Sequence, residues 1–227
     1  MPLTKEQIKE FKAEEEAEDF YGLSNVADDI AGAGDKEWAK KVYKKAEGKA
    51  ERYNDFRNLA DSIYRLGDKE WAKKLYKKAE GKAESSNDKN FNFFIVFASS
   101  IYENLGDKSW AKKLYRKAEE NAEGCYELCE LAGTIYEYLG DKKWVKKLYK
   151  KAEGECEKFK DFYILADSIC ERLSDKEWAK KFYDKAEEKA EDSSDYESLA
   201  ESIRDNLGDK KWAELLEQKA KELEDDD

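Results

Sequence analysis

"GDKEWAKKVYKKAEGKAE" occupies Gly34–Glu51 and "GDKEWAKKLYKKAEGKAE" occupies Gly67–Glu84, so the chain says the same eighteen residues twice with only Val42 and Leu75 different. Looser copies lie further along the chain. The six tryptophans, Trp38, Trp71, Trp110, Trp144, Trp178 and Trp212, stand 33, 39, 34, 34 and 34 residues apart. A constant period in the range of roughly 20 to 50 residues marks a repeat array. Glycine-aspartate precedes five of the six tryptophans, at Gly34, Gly67, Gly106, Gly140 and Gly208, and Ser174 replaces the glycine in the fifth copy.

Upstream of each Gly-Asp lies a second motif: "VADDIAGAG" from Val26, "LADSIYRLG" from Leu59, "FASSIYENLG" from Phe97, "LAGTIYEYLG" from Leu131, "LADSICERLS" from Leu165 and "LAESIRDNLG" from Leu199. A large apolar residue, alanine, and isoleucine four after the first share one helical face. Glycine is the residue that most often ends a helix in the left-handed conformation, and aspartate is a preferred N-cap, so each copy predicts an A helix, a turn and a B helix. In the first B helix Trp38, Ala39, Val42, Tyr43, Ala46 and Ala50 fall on one face, and the lysines take the rest.

Composition agrees with an all-helical chain. Of 227 residues 43% are charged, with 43 Lys+Arg against 54 Asp+Glu, a net charge of -11 and a single proline. Such charge would fit a disordered chain, but six Trp, fourteen Tyr and ten Phe at helical spacings supply a core. The most apolar run, Phe91–Phe97, falls well short of the about 20 residues that span a bilayer, and the opening residues lack an apolar signal region. The expectation is a cytoplasmic protein without a membrane span.

The residues Leu59, Ala60, Ile63, Gly67, Asp68, Ala72, Tyr76 and Ala79, with their counterparts over about 200 residues, resemble the tetratricopeptide repeat (TPR) family, whose unit is a helix pair of 34 residues. The tryptophan before the B-helix alanine and the missing closing proline mark a divergent form with a GDKxWA signature. The resemblance implies an all-α, right-handed superhelical solenoid of about six stacked repeats. The units expected are about 19–51, 52–84, 89–122, 123–154, 155–190 and 192–223. A degenerate helix over 1–18 would precede them, a longer loop would fill 85–90, and an acidic tail would follow at 224–227. Units three to six carry one extra residue before the turn, since Phe97 to Gly106 is nine positions and Leu59 to Gly67 eight, which predicts an altered helix end.

Chemistry is sparse. Histidine is absent, and the chain has no GxSxG, P-loop, HExxH or GxGxxG pattern, so no enzyme activity and no cofactor are expected. Cys125, Cys129, Cys156 and Cys170 have no CxxC spacing, which favours free, partly buried thiols over a metal site or disulfides. In the resembled family A helices line a concave groove. Transferred here, that places Arg57, Asp61, Tyr64, Asn92, Ser99, Tyr102, Tyr126, Tyr136, Tyr163 and Asp167 in a partner-binding groove, with Cys129, Cys170, Glu197, Glu201 and Arg204 beside them. Tyr64, Tyr102 and Tyr136 recur at equivalent places, giving apolar area with a hydrogen-bonding tip. Arg57 and Asn58 are not repeated in the next unit, so they do not make the carboxylate clamp of chaperone-binding TPR proteins.

Charge separates the faces: Gly34–Glu51 has six lysines against four acids and Gly140–Gly154 six against two, whereas Met1–Ala33 has nine acids against three lysines. The leading expectation is therefore a non-enzymatic interaction scaffold for a protein or peptide, preferably basic, since opposite charge speeds encounter. Nucleic-acid binding along the lysine-rich B helices is the alternative, opposed by the chain's own negative charge. A self-assembling or engineered repeat array is the third reading.

Overall fold

The computed structural model describes residues 4–14, 16, 19–85 and 91–225. Among them lie thirteen α-helices and no strand. Two compact units, Met1–Lys112 and Lys113–Asp227, divide the chain. The first contains α1 (Lys5–Glu14), the pair α2 (Phe20–Gly32) and α3 (Lys36–Lys49), the pair α4 (Tyr53–Leu66) and α5 (Lys69–Ser85), α6 (Phe91–Leu105), and the start of α7 (Lys108–Asn121). The second contains the rest of α7, the pair α8 (Gly124–Leu139) and α9 (Lys142–Glu153), and the pair α10 (Phe159–Leu173) and α11 (Lys176–Glu187). It closes with α12 (Ser193–Ser202), extended by a π-helical turn over Ile203–Leu207, against α13 (Lys210–Asp225). Apart from Ser85, the expected long loop at 85–90 lies outside the described residues, as do the last two positions of the acidic tail.

Helix pairs packed in succession are the fold of a helical repeat protein. Within the first unit α2 packs on α3, α4 on α5, and the A helices α2, α4 and α6 meet in order; α8, α10 and α12 do the same in the second. The B helices explain why. In α5 the residues Ala72, Leu75, Tyr76, Ala79 and Ala83 are buried, and in α11 Ala179, Phe182, Tyr183 and Ala186 are. Three- and four-residue steps keep these on one stripe, and the alanines along it let the partner helix approach closely. Burying each large ring contributes about 2 to 3 kcal/mol.

The punctuation is physical. Asp35, Asp68, Asp107, Asp141, Asp175 and Asp209 each accept the backbone N–H of the tryptophan three residues on, at 3.0 to 3.2 Å, satisfying one orphan donor per B helix. Two of the A helices start differently: Asp55 and Asp161, in the first turn, reach back to accept two backbone N–H groups each.

The extra residue of units three to six changes how the A helix stops. In the first two units the N–H of Asp35 and Asp68 reaches back five residues to Ile30 and Ile63, while glycine bonds three back, a Schellman ending. With one more residue, Gly106, Gly140 and Ser174 each bond four back, to Tyr102, Tyr136 and Cys170, the simpler left-handed ending. In the sixth unit Gly208 N–H also bonds four back, to Arg204, and adds a bond five back, to Ile203, which closes a π turn over Ile203–Leu207. Ser174 is the one non-glycine residue with positive φ (55°) among the described residues. An L side chain in this region costs roughly 1 to 2 kcal/mol. Ser174→Gly is therefore expected to raise stability by about 1 kcal/mol, read as a higher urea midpoint with an unchanged slope; an unchanged or lower midpoint would contradict this account.

Candidate functional site

The B-helix tyrosines are the most deeply buried large side chains. Tyr43, Tyr76, Tyr149 and Tyr183 are at most 1% exposed, and a buried hydroxyl needs a partner. Tyr43 donates to Asp28 Oδ1 at 2.6 Å, Tyr76 to Asp61 and Tyr183 to Asp167, each carboxylate lying on the A helix of the same pair. Burial together with the carboxylate drives these phenols upward, so they remain donors.

The next A helix completes each latch. Asn104 of α6 donates to Asp61 Oδ1 at 2.9 Å and to the Tyr76 hydroxyl at 2.6 Å. In the second unit Asn206 donates to Asp167 Oδ1 at 3.1 Å and to the Tyr183 hydroxyl at 2.9 Å, and Ser202 adds a bond to Asp167 Oδ2. Where the A-helix residue differs, the third member differs too. Asp28 is paired with Arg65 of α4, at 3.8 Å. Gly133 supplies no carboxylate, and Arg172 of α10 lies so close that a Cβ there would stand 3.1 Å from its guanidinium. Tyr149 turns instead to the Ser168 carbonyl at 3.3 Å.

Along the B helices a second seam forms. The indole N–H of Trp71, Trp110, Trp144 and Trp212 donates to Glu47, Glu80, Glu119 and Glu187 of the preceding B helix at 2.7 to 3.0 Å. Lys78, Lys147 and Lys219 meet three of the same glutamates, so part of the lysine ridge is internally paired. Burial alone would raise the Glu119 carboxyl, but Trp144 and Lys147 outweigh it and hold it below its ordinary value.

The residues expected in the groove divide between the stack and the surface. Asp61 accepts from Tyr76 and Asn104 and from Arg57 at 3.1 Å, and Asp167 sits in the matching latch, so both carboxylates are committed inside the helix stack. Burial pushes both carboxyls up, opposed by the hydroxyl donors. Arg57 also donates to Asn58 at 2.6 Å, and its Nε is buried without a partner. Tyr64, Tyr102 and Tyr136 are half-buried, and each ring carries the ammonium of the lysine that opens the following helix: Lys69 at 5.6 Å, Lys108 at 5.7 Å and Lys142 at 5.9 Å. They staple the turn as well as presenting an edge outward. Tyr163 stacks on Phe159 with centroids 5.7 Å apart, Ser99 is half-buried on α6, and Asn92 is exposed. Tyr126 is 59% exposed on α8.

A polar recess on the A-helix face of the first unit lies between α2 and α4. It holds about 320 Å³ and is lined by Phe20, Tyr21, Ser24, Asn25, Asp28, Asn58, Asp61, Ser62 and Arg65. Tyr21 is 57% exposed, Asn25 and Asn58 are exposed, and the buried Ser24 hydroxyl has no partner. Of these residues only Asp61 belongs to the groove set expected from sequence; Phe20, Tyr21, Ser24, Asn25 and Asp28 are missed because the first A helix departs most from the repeat, and Asn58, Ser62 and Arg65 of α4 are missed beside it, the signal available being Asn before the apolar-Ala pair in both "NVADD" and "NLADS". Among the described residues no group of three or more His, Cys, Asp or Glu side chains is arranged to hold a metal ion, and no helix is long and apolar enough to cross a membrane.

Successive helix pairs, left-handed turns and small-residue crossings define a TPR-like helical repeat fold. A crystal structure of the C-terminal part of a TPR repeat-containing protein from Cytophaga hutchinsonii is similar over 95% of this chain and 88% of its own, with a TM-score of 0.51 and 16% identity. No family model and no curated protein matches the sequence.

The latch makes a measurable claim. Tyr76→Phe leaves Asp61 and Asn104 short of a partner and is expected to cost about 1 to 3 kcal/mol. Combined with Asn104→Ala in a double-mutant cycle, the pair should couple by roughly 0.5 kcal/mol or more in urea denaturation. Strict additivity would show that hydroxyl and amide act independently.

Proposed function

We propose that this chain is a non-enzymatic scaffold that binds a protein segment along the A-helix faces. The observation that carries this reading is the recess between α2 and α4, where an exposed tyrosine, two exposed amides and the Asp28–Arg65 pair surround a hydroxyl without a partner. Amide side chains offer donor and acceptor together, the combination a peptide main chain requires. Tyr21 adds the amphipathic contact area that recognition surfaces favour. The fold shared with a TPR repeat-containing protein supports the reading at the level of architecture. Excess acid on the opening helices favours a basic segment, through encounter rate more than affinity. The groove residues Asn92, Ser99 and Tyr102 extend this surface within the first unit in this reading, with Asp61 acting from beneath it, and Tyr126, Tyr136, Tyr163 and Asp167 make a corresponding face on the second. Internal pairing of Lys78, Lys147 and Lys219 weighs against a phosphate-binding ridge.

A displayed random-peptide library panned on the purified chain tests it. Enriched peptides should bind Tyr21→Ala/Asn58→Ala at least about tenfold more weakly, a difference of about 1.4 kcal/mol, while the variant keeps its helical circular dichroism. Failure to enrich any peptide, or peptides indifferent to both substitutions, would sink the proposal.

A further inference from the structure

The first helix pair has the latch without its amide. Asp61 and Tyr76 receive Asn104, and Asp167 and Tyr183 receive Asn206. Each asparagine stands seven positions after the residue that opens its A-helix motif, Phe97 or Leu199. Seven positions after Leu59 in α4 stands Leu66, because the second unit lacks the residue that later units insert before the turn. Leucine offers the latch no donor. Asp28 and Tyr43 keep their own bond at 2.6 Å, with the Arg65 guanidinium 3.8 Å from the same Asp28 oxygen.

A recess of about 500 Å³ opens where the amide is missing. Asp28, Tyr43, Lys36, Ser62, Arg65 and Leu66 stand in its wall, so it presents the same carboxylate and phenol pair that Asn104 serves one pair later. It adjoins the recess between α2 and α4 described above, sharing Asp28, Ser62 and Arg65 with it. The Asp28 side chain is 44% exposed against 25% for Asp61, so the first carboxylate can be reached from outside.

We propose that this recess takes a carboxamide side chain, asparagine or glutamine, from the bound segment, which completes the first latch in trans as Asn104 completes the second in cis. The source of that side chain rests on the scaffold reading; its chemistry rests on the latch geometry. A carboxamide has two donors and an acceptor on one planar group. Its NH2 donates to Asp28 Oδ1 and the Tyr43 oxygen, the two kinds of acceptor that Asn104 and Asn206 use. Its carbonyl accepts from Arg65, whose guanidinium carries more donors than its bond to Ser62 occupies, or from Lys36 on the same wall.

Other side chains fit this set less well. An ammonium or guanidinium would meet Lys36 and Arg65, and a carboxylate would meet Asp28. An aliphatic side chain would take water from Asp28 and return no hydrogen bond, which is costly for a charged group.

The test needs no known partner. The isotope-labelled full chain is titrated with N-acetyl-asparagine N-methylamide and its glutamine counterpart, following the resonances of Asp28, Tyr43 and Arg65 by NMR. Capped leucine, aspartate and lysine carry the same main-chain amides and serve as controls. The carboxamide probes should give saturable shifts with a dissociation constant of about millimolar order, and should bind at least about tenfold more tightly than each control. A second arm inserts an asparagine between Arg65 and Leu66, turning "YRLG" into "YRNLG" and the 33-residue spacing of Trp38 and Trp71 into the 34 of later units. That residue should complete the latch from within, raising the urea midpoint and abolishing the shifts caused by the probes. No saturable shift in the unaltered chain, an equal response to leucine or aspartate, or undiminished probe binding by the folded insertion variant would each overturn the proposal. Failure here is separable from failure of the scaffold reading. Panned peptides that bind without Asn or Gln would overturn this pocket and leave the scaffold standing, whereas probe binding with no peptide enriched would support the pocket alone.

Discussion

A tyrosine hydroxyl buried between two helices must be satisfied, and the rest of this fold is arranged around that demand. Tyr76 cannot leave the core without opening a cavity, and cannot stay without an acceptor. Asp61 supplies the acceptor from the same helix pair, and Asn104 arrives from the next pair to satisfy both. One polar cluster thereby ties the inside of a repeat to its successor. The apolar stripe supplies most of the free energy, and the latch sets where along the stripe the helices stop sliding.

The latches explain why some polar groups stay at the surface and some do not. Aspartate at the third place of the A-helix motif looks outward by helical periodicity, yet it is drawn into the stack by a partner on another helix. The seam on the B helices, where Trp144 and Lys147 meet Glu119, similarly consumes polar groups that look free on a helical wheel. In the first unit, exposed polar groups gather between the first two A helices, where Tyr21, Asn25 and Asn58 stand around the recess.

The fold was legible because it is written in local, repeated signals: Gly-Asp before tryptophan, alanine at the crossings, tyrosine one turn beyond. The helix ends were half legible. A surplus residue could be counted between Phe97 and Gly106, but whether it changes the cap or bulges the helix depends on which carbonyls remain in reach, and Gly106 and Gly208 resolve it in different ways. The site was the least legible part. Asp61 and Asp167 read as groove residues, since their partners Tyr76 and Asn104, or Tyr183 and Asn206, lie 15 to 43 positions away along the chain. Yet asparagine stands in "YENLG" and "RDNLG" one unit after "LADS", so the pairing left a trace in the sequence.

The near-identical segments Gly34–Glu51 and Gly67–Glu84 are also a substrate for unequal recombination in the gene that encodes them. A crossover between them deletes thirty-three residues, one whole helix pair, and joins the first pair directly to the third. Asp28 and Tyr43 would then face Asn104 in place of Arg65, the same chemical set that Asp61 and Tyr76 offer it now. Length in this part of the chain can therefore change by a unit while the hydrogen-bonding grammar at the new junction stays complete.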